Sequence, residues 1–282
     1  FGRKIGIHDN FFDIGGDSVR AIQLVSRVRQ QNLRVIARDI FRYPTIAQLC
    51  PKVSMAEHAA IQGAVTGVVP LTAITRWFFK TFVYDKHHFN HADLFYSRKR
   101  LDEKALRAAL ETLQEHHDAL RMKYEILQRN GAVLNVVQKN CGLDYPFSFE
   151  TIDLTRSENE ISELESYARA LQATLDLENG PLMKAALFRL NDGDRLLLIL
   201  HHLVHDAVSW RILIEDLVSA YTQYEQGKSV TLPLKTDSFK QWAEQIQLYS
   251  TSNDLLKQKS YWQRIESASP PALPYDNEAE EG

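Results

Sequence analysis

Two stretches of this 282-residue sequence put reactive side chains where backbone geometry could use them. The first is Asp9-Asn10-Phe11-Phe12-Asp13-Ile14-Gly15-Gly16-Asp17-Ser18. Gly15-Gly16 is a turn signal, and Asp17 and Ser18 then open a helix. Its apolar residues Ala21, Ile22, Leu24, Val25 and Val28 keep helical spacing. A serine at a helix N-terminus can carry a phosphate ester, because free backbone N–H groups and the positive end of the dipole favour an anion there. Read by itself, Gly-Gly-Asp-Ser is more simply a turn followed by Ser18 as an N-cap. The second stretch is His201-His202-Leu203-Val204-His205-Asp206-Ala207-Val208-Ser209-Trp210. A neutral imidazole, with an unperturbed pKa of ~6.5, can accept a proton near neutral pH. Adjacent histidines are more often structural than catalytic, and His201 and His205 could share a zinc ion if they lay on a helix. The apolar run Leu196 to Leu200 before them reads instead as a strand, so no metal is expected. His87, His88 and His91 form another cluster, read as surface or core.

The elements around these stretches fall into two units. Residues 1–53 read as three short helical segments: the one opened by Ser18, a short helix or turn at Val35 to Phe41, and one that starts at Pro44-Thr45 with Thr45 as N-cap. Their apolar residues are few, so the core is thin. Residues 54–69 are small and weakly patterned, with Gly63 and Gly67 as breakers, and read as a linker. Residues 70–282 alternate strands and helices, as in an α+β layered unit. Strands are expected at Asn90 to Tyr96, Val133 to Gln138 and Phe147 to Ile152, and helices at Asp102 to His116 and Ser157 to Leu175. A hairpin joins Leu182 to Leu190 with Arg195 to Leu200, and a long amphipathic helix carries Trp210, Leu213, Ile214, Leu217, Tyr221 and Tyr224. Ser238 to Ser267 reads as helix, before a Pro-containing stretch and an acidic end. Trp77-Phe78-Phe79 reads as core.

Composition excludes several classes. Net charge is −3, with +4 in residues 1–50 and hence −7 in the rest, so nothing suggests nucleic-acid or membrane binding by the whole chain. The longest apolar run is far too short to span a membrane. Cys50 and Cys141 are far apart and match no metal spacing, as for free thiols in a reducing cytoplasm. Phe1-Gly2-Arg3 is not a natural start, which points to a piece of a longer protein.

Asn10-Phe11-Phe12-Asp13-Ile14-Gly15-Gly16-Asp17-Ser18, followed by Ala21-Ile22-Gln23-Leu24, resembles the attachment motif of the peptidyl carrier (thiolation) domains of nonribosomal peptide synthetases. The resemblance implies a 4′-phosphopantetheine arm on Ser18, added by a phosphopantetheinyl transferase and holding an aminoacyl or peptidyl thioester. It also implies a helical carrier bundle that here lacks its first helix. Asp17 is the residue that such carriers tend to have when they serve epimerization domains. His201 to Asp206 resembles the His-His-x-x-x-Asp motif of condensation and epimerization domains, which share a two-lobed fold with chloramphenicol acetyltransferase. Leu71 to Phe79 resembles that family's first signature. The continuation Ser209-Trp210-Arg211-Ile212-Leu213 is similar to epimerization domains, and Ala207 departs from the usual glycine. The family match makes His202 the base, gives His201 a supporting place, and makes Asp206 structural. The resemblance pairs Asp206 with Arg121 of His116-His117-Asp118-Ala119-Leu120-Arg121. It further implies adenylation and condensation domains as neighbours, and a second lobe, with a glutamate on the opposite face of the substrate, that lies outside this chain. The expected activity is conversion of an L residue to D by proton transfer at the α-carbon. The alternatives are an amide-forming condensation domain and a catalytically silent carrier and docking fragment.

Overall fold

Two apolar segments and a two-residue turn, Asn191-Asp192, make the expected hairpin. It belongs to a computed structural model that describes residues 4–55, 60–82, 84–129 and 132–270. The first unit holds α1 (Ser18–Gln30), β1 (Leu33–Arg34), α2 (Ala37–Arg42), α3 (Ile46–Leu49) and β2 (Ser54–Met55). The second holds β3 (Gly67–Val69), α4 (Ala73–Thr81), β4 (Asn90–Ser97), α5 (Glu103–His116), β5 (Met122–Arg129), β6 (Ala132–Asn140) and β7 (Phe149–Asp153). It continues with α6 (Glu160–Gln172), β8 (Met183–Leu190), β9 (Gly193–His201), α7 (Ala207–Glu225), α8 (Phe239–Ser250), α9 (Asn253–Leu256) and α10 (Lys259–Ser267).

The second unit is layered around the sheet β4-β9-β8-β7. Only β7 and β8 run parallel, and α6 makes the crossover between them. Side chains alternate across the central strand β9. Leu196, Leu198 and Leu200 enter a core with Leu106, Leu110 and Leu113 of α5 and Leu213 and Leu217 of α7. Leu197 and Ile199 enter a second core with Leu164 and Leu171 of α6. Helices on both faces account for the unbroken apolar run. A second, antiparallel sheet, β3-β6-β5, lies alongside.

Several expectations are corrected here. The presumed linker is built into both units at its ends: Ser54–Met55 pairs with β1, and Gly67–Val69 pairs with β6. Strand β5 stands where no element was expected. The helix from Ser238 to Ser267 is broken into α8, α9 and α10, with Ser238 and Ser252 each capping a new start. Phe78 and Phe79 are core, but Trp77 is 52% exposed. In the first unit Ala21, Val35 and Ile40 are the buried apolar residues, with Phe11, Leu24, Val25, Val28 and Leu49 packed on them. The expected start at Phe1-Gly2-Arg3 and the acidic end from residue 271 lie outside the described residues.

One polar knot ties the hairpin to the start of α5. Asp194 is fully buried, and its carboxylate accepts from Arg189, from Arg100 at 2.6 Å and from the Leu101 backbone N–H at 2.7 Å. Such a carboxylate is tolerated only because it is paired and hydrogen-bonded on both oxygens. Asp194→Ala is therefore expected to cost about 3 kcal/mol, checked by urea denaturation. A loss no larger than that of an exposed carboxylate, such as Glu165→Ala, would contradict this reading of the knot.

Candidate functional site

Strand β9 ends at His201, and the next five residues turn into α7. His201 is buried. Its Nε2 donates to the Lys86 carbonyl at 2.8 Å, and its Nδ1 accepts from the Leu203 backbone N–H at 3.1 Å. Burial, opposed by the bond to Lys86, brings its pKa down to about 4. Both ring nitrogens are committed to backbone, which removes the alternative of a zinc ion shared with His205. His205 is buried too; its Nδ1 donates to the His201 carbonyl at 3.0 Å, and burial lowers its pKa to about 4.

His202 differs from both. It is exposed, and among the described residues its imidazole has no hydrogen-bond partner. Its backbone N–H donates to the Phe89 carbonyl at 3.0 Å, and the Phe89 ring lies 4.6 Å from its own. Partial burial and then the neighbouring His91 lower its pKa, so the ring favours its neutral form. It is therefore a base with free nitrogens, fixed through its backbone at the end of a buried strand.

The pairing of Asp206 with Arg121 is corrected. Asp206 is exposed and caps α7: its carboxylate accepts from the backbone N–H groups of Val208 at 3.1 Å and Ser209 at 2.8 Å, and from the Ser209 hydroxyl at 2.7 Å. Arg121 is wholly buried and bonds Asp118 at 2.5 Å, with the Gln114, Glu115 and Cys141 carbonyls completing its set. The Gln114 and Glu115 carbonyls lie in the last turn of α5, where carbonyls lack helical partners and the dipole favours a cation. A local acid and a helix end thus satisfy the guanidinium without a remote carboxylate.

Three further groups stand beside His202: Asp93, which the sequence does not single out, His91, which reads there only as surface or core, and Trp210, which reads only as part of the motif and of a helix face. His91 and Asp93 lie on β4 and Trp210 on α7. The His91 ring lies 4.3 Å from Trp210 and 5.5 Å from His205, and Trp210 Nε1 donates to Asp93 at 2.9 Å. The signal was the strand at Asn90 to Tyr96; what brings it to the site is the pairing of His91 with Leu200, which no local pattern announces. Elsewhere, His116, His117 and Asp216 have donor atoms within 4.8 Å of one another and could hold a metal ion. His117 Nε2 already donates to Asp216 at 2.9 Å, tying the end of α5 to α7.

At the other candidate site, Gly15 has φ +96, and a Cβ on Gly16 would overlap the Phe11 carbonyl and ring. Both positions need glycine. Asp17, not Ser18, is the N-cap of α1, accepting from the Arg20 N–H at 2.8 Å. Ser18 is the first residue of the helix and is exposed, so its hydroxyl stands free of the capping role that the N-cap alternative gave it. That geometry fits a phosphate ester. From the far end of α1, Arg29 pairs with Asp237 at 2.8 Å and Arg27 with Glu215 at 3.8 Å, both on the second unit.

A family model described as "Condensation domain" matches residues 65–282, and one described as "Phosphopantetheine attachment site" matches residues 2–51. Surfactin synthase subunit 2 of Bacillus subtilis (strain 168) is 44% identical over 99% of this chain, and tyrocidine synthase 1 of Brevibacillus parabrevis is 41% identical over 98%. The chain spans 8% and 25% of those two proteins. The crystal structure of the epimerization domain from the third module of tyrocidine synthetase B is 43% identical, with a TM-score of 0.71; the match covers 78% of this chain and 50% of that one. The starter condensation domain of rhizomide synthetase, 19% identical with a TM-score of 0.58 over 72% of this chain and 48% of its own, shares the fold.

The two carboxylates are separable by mutation. Asp206→Ala should remove a cap worth about 1 kcal/mol. Asp118→Ala should cost more, about 3 kcal/mol, because it leaves a buried guanidinium without its charge partner. Burial alone would raise the Asp206 pKa, but its bonds from Ser209 and Val208 hold it below the usual value. The cap's contribution is thus complete above the unfolded value of ~3.9 and is lost as pH falls through the folded one. Chemical denaturation of both variants against pH checks this; a larger loss for Asp206→Ala would restore the remote pairing.

Proposed function

Because the chain belongs to the condensation-domain family of nonribosomal peptide synthetases and carries a phosphopantetheine-attachment unit ahead of that domain, we propose that it is a carrier and epimerization pair. The attachment unit carries a covalent 4′-phosphopantetheine; in this reading its anchor is Ser18, with Asp17 as the cap that shapes the anchor's helix. The arm supplies a thioester that acidifies the α-proton and swings the substrate between sites. His202 removes the α-proton of the aminoacyl or peptidyl thioester, and a second group returns one from the opposite face. No electrons are gained or lost. His201 holds the strand end, and Asp206 starts α7.

The observation that carries this reading is the exposed, unbonded His202 imidazole, favoured in its neutral form, at the end of β9. Two further facts support it: the likeness to the tyrocidine synthetase epimerization domain, and the fact that this chain spans half of that one. The second proton handler is assigned to a second lobe, as the resemblance implies. Trp242, Tyr249, Tyr261 and Trp262 on α8 and α10 stand about half exposed, which suits elements that continue toward such a lobe. Adenylation and condensation domains, and the transferase that loads Ser18, are the remaining partners. An amide-forming condensation domain is the competing reading, and the family model's own description speaks for it.

In a protein that includes both lobes, Ser18→Ala should abolish the mass increase that coenzyme A and a phosphopantetheinyl transferase produce. Modification that survives this change would place the arm elsewhere. With an L-aminoacyl pantetheine thioester in deuterated water, α-carbon deuteration and D product should appear, and His202→Ala should slow both by about 10²–10⁴. The acid limb of the pH–rate profile should fall below ~6.5, since His202 must lose its proton to act. Amide formation with an acceptor thioester, without α-deuteration, would decide for condensation.

A further inference from the structure

Three imidazole planes are nearly parallel beside β9. His202 lies 5.2 Å from His205 with 17° between the rings, and 6.2 Å from His91 with 10° between them. His91 and His205 make 25°. The three differ in how their nitrogens are engaged. His205 must donate from Nδ1, because it faces the His201 carbonyl, so its Nε2 is an acceptor when the ring is neutral. That Nε2 lies 3.4 Å from His91 Nδ1. His91 Nε2 in turn lies 3.4 Å from Asp93 Oδ1, whose other oxygen takes the Trp210 indole N–H. A proton on each His91 ring nitrogen would face an acceptor at Nδ1 and a carboxylate near Nε2.

We propose that His91, held by Asp93 and His205, is a positioning residue that takes the proton in this trio and keeps His202 free to act as a base. The mechanism is repulsion. Two like charges about 6 Å apart under aromatic cover disfavour each other, so a charge on the ring that has a carboxylate beside it works against one on the unpaired His202 ring. The other titratable or charged groups at the ends of the elements that flank His202 are Lys86, His87 and His88 on the short turn before β4, His201 on β9, and Asp206 at the cap of α7. Of these, His201 is buried with both nitrogens committed, and the Asp206 carboxylate is occupied by the cap. His87 accepts the Leu177 backbone N–H at Nδ1 and lies 3.7 Å from Asp176.

This inference rests on the reading of His202 as the base, yet its test does not need turnover. The full chain, with its histidine rings isotopically labelled, is titrated by NMR, and His202 is assigned by its loss in His202→Gln. His91→Gln should move the His202 midpoint upward by on the order of half a pH unit. Asp93→Asn, which keeps every ring, should move it in the same direction by freeing His91 of its proton. An unchanged or lowered His202 midpoint in both variants would overturn the proposal, as would a zinc-induced loss of the three ring signals together in the unmodified chain. An upward shift in a protein whose two-lobed form exchanges no α-protons would uphold the trio and count against the epimerization reading alone.

Discussion

Strand β9 has no freedom of register. A slip of one residue would send Leu196, Leu198 and Leu200 out of the core they share with α5 and α7, and would push Leu197 and Ile199 out of the α6 side. Because Leu196 to Leu200 is aliphatic throughout, the slipped faces would still be aliphatic; what excludes the slip is the two ends of the strand, where Asp194 would leave its bonds to Arg100, Arg189 and the Leu101 N–H, and His201 its bonds to Lys86 and Leu203. Each buried leucine is worth roughly 1.5–3 kcal/mol relative to exposure. The end of the strand is therefore a fixed point, and the residues that follow inherit its precision. His201 closes the strand with two backbone bonds, and His202 then leaves the sheet edge with its own N–H on the Phe89 carbonyl. In the proposed reaction, a base that must meet a small α-proton would gain from such a mount, because rate falls steeply with misplacement.

The polar side of the unit follows a different rule. Arg121 and Asp194 are both wholly buried, and each is met by several groups rather than by a single opposite charge. Arg121 collects two carbonyls at the end of α5 and one from Cys141 as well as Asp118. Asp118 is shared further, with Lys235 at 3.4 Å and the Val65 N–H at 3.1 Å, so this network also fastens the segment that leads from the first unit. Many bonds offset the large desolvation cost of charges satisfied this way, and removing one partner then costs much. They fix where α5, β6 and the entering chain meet, while the exposed Asp206 is left to the local work of starting a helix.

Much of this was legible in sequence because the patterns are local. The hairpin, the helix α5 and the Thr45 cap of α3 each follow from residues a few positions apart. The helix opened by Asp17-Ser18 was legible too, although which of the two caps it was not. What stayed hidden depends on contacts distant in sequence. His91 is 111 positions from His202, and only the pairing of β4 with β9 brings it near. Arg121 illustrates the reverse. A family resemblance gave it a remote partner, whereas the acid three positions away and the orphan carbonyls of its own helix end were the nearer solution. The break of the last helical stretch was written in Ser252, a capping residue in the middle of an apolar pattern, where periodicity alone carries the reader straight through.

The way the two units touch suits a carrier that must leave. Arg29–Asp237 and Arg27–Glu215 are partly to largely exposed ion pairs. Pairs of that kind contribute at most about 1 kcal/mol each and weaken with salt. Against them stands a thin core in the first unit, with three buried apolar residues among the described ones, and a turn built on Gly15 and Gly16 that presents Ser18 to solvent rather than to the second unit's core. A tight hydrophobic interface would hold the thioester arm at one station. Light, polar attachment through the far end of α1 leaves the Ser18 end of that helix exposed, as the proposed anchoring of a mobile arm there requires.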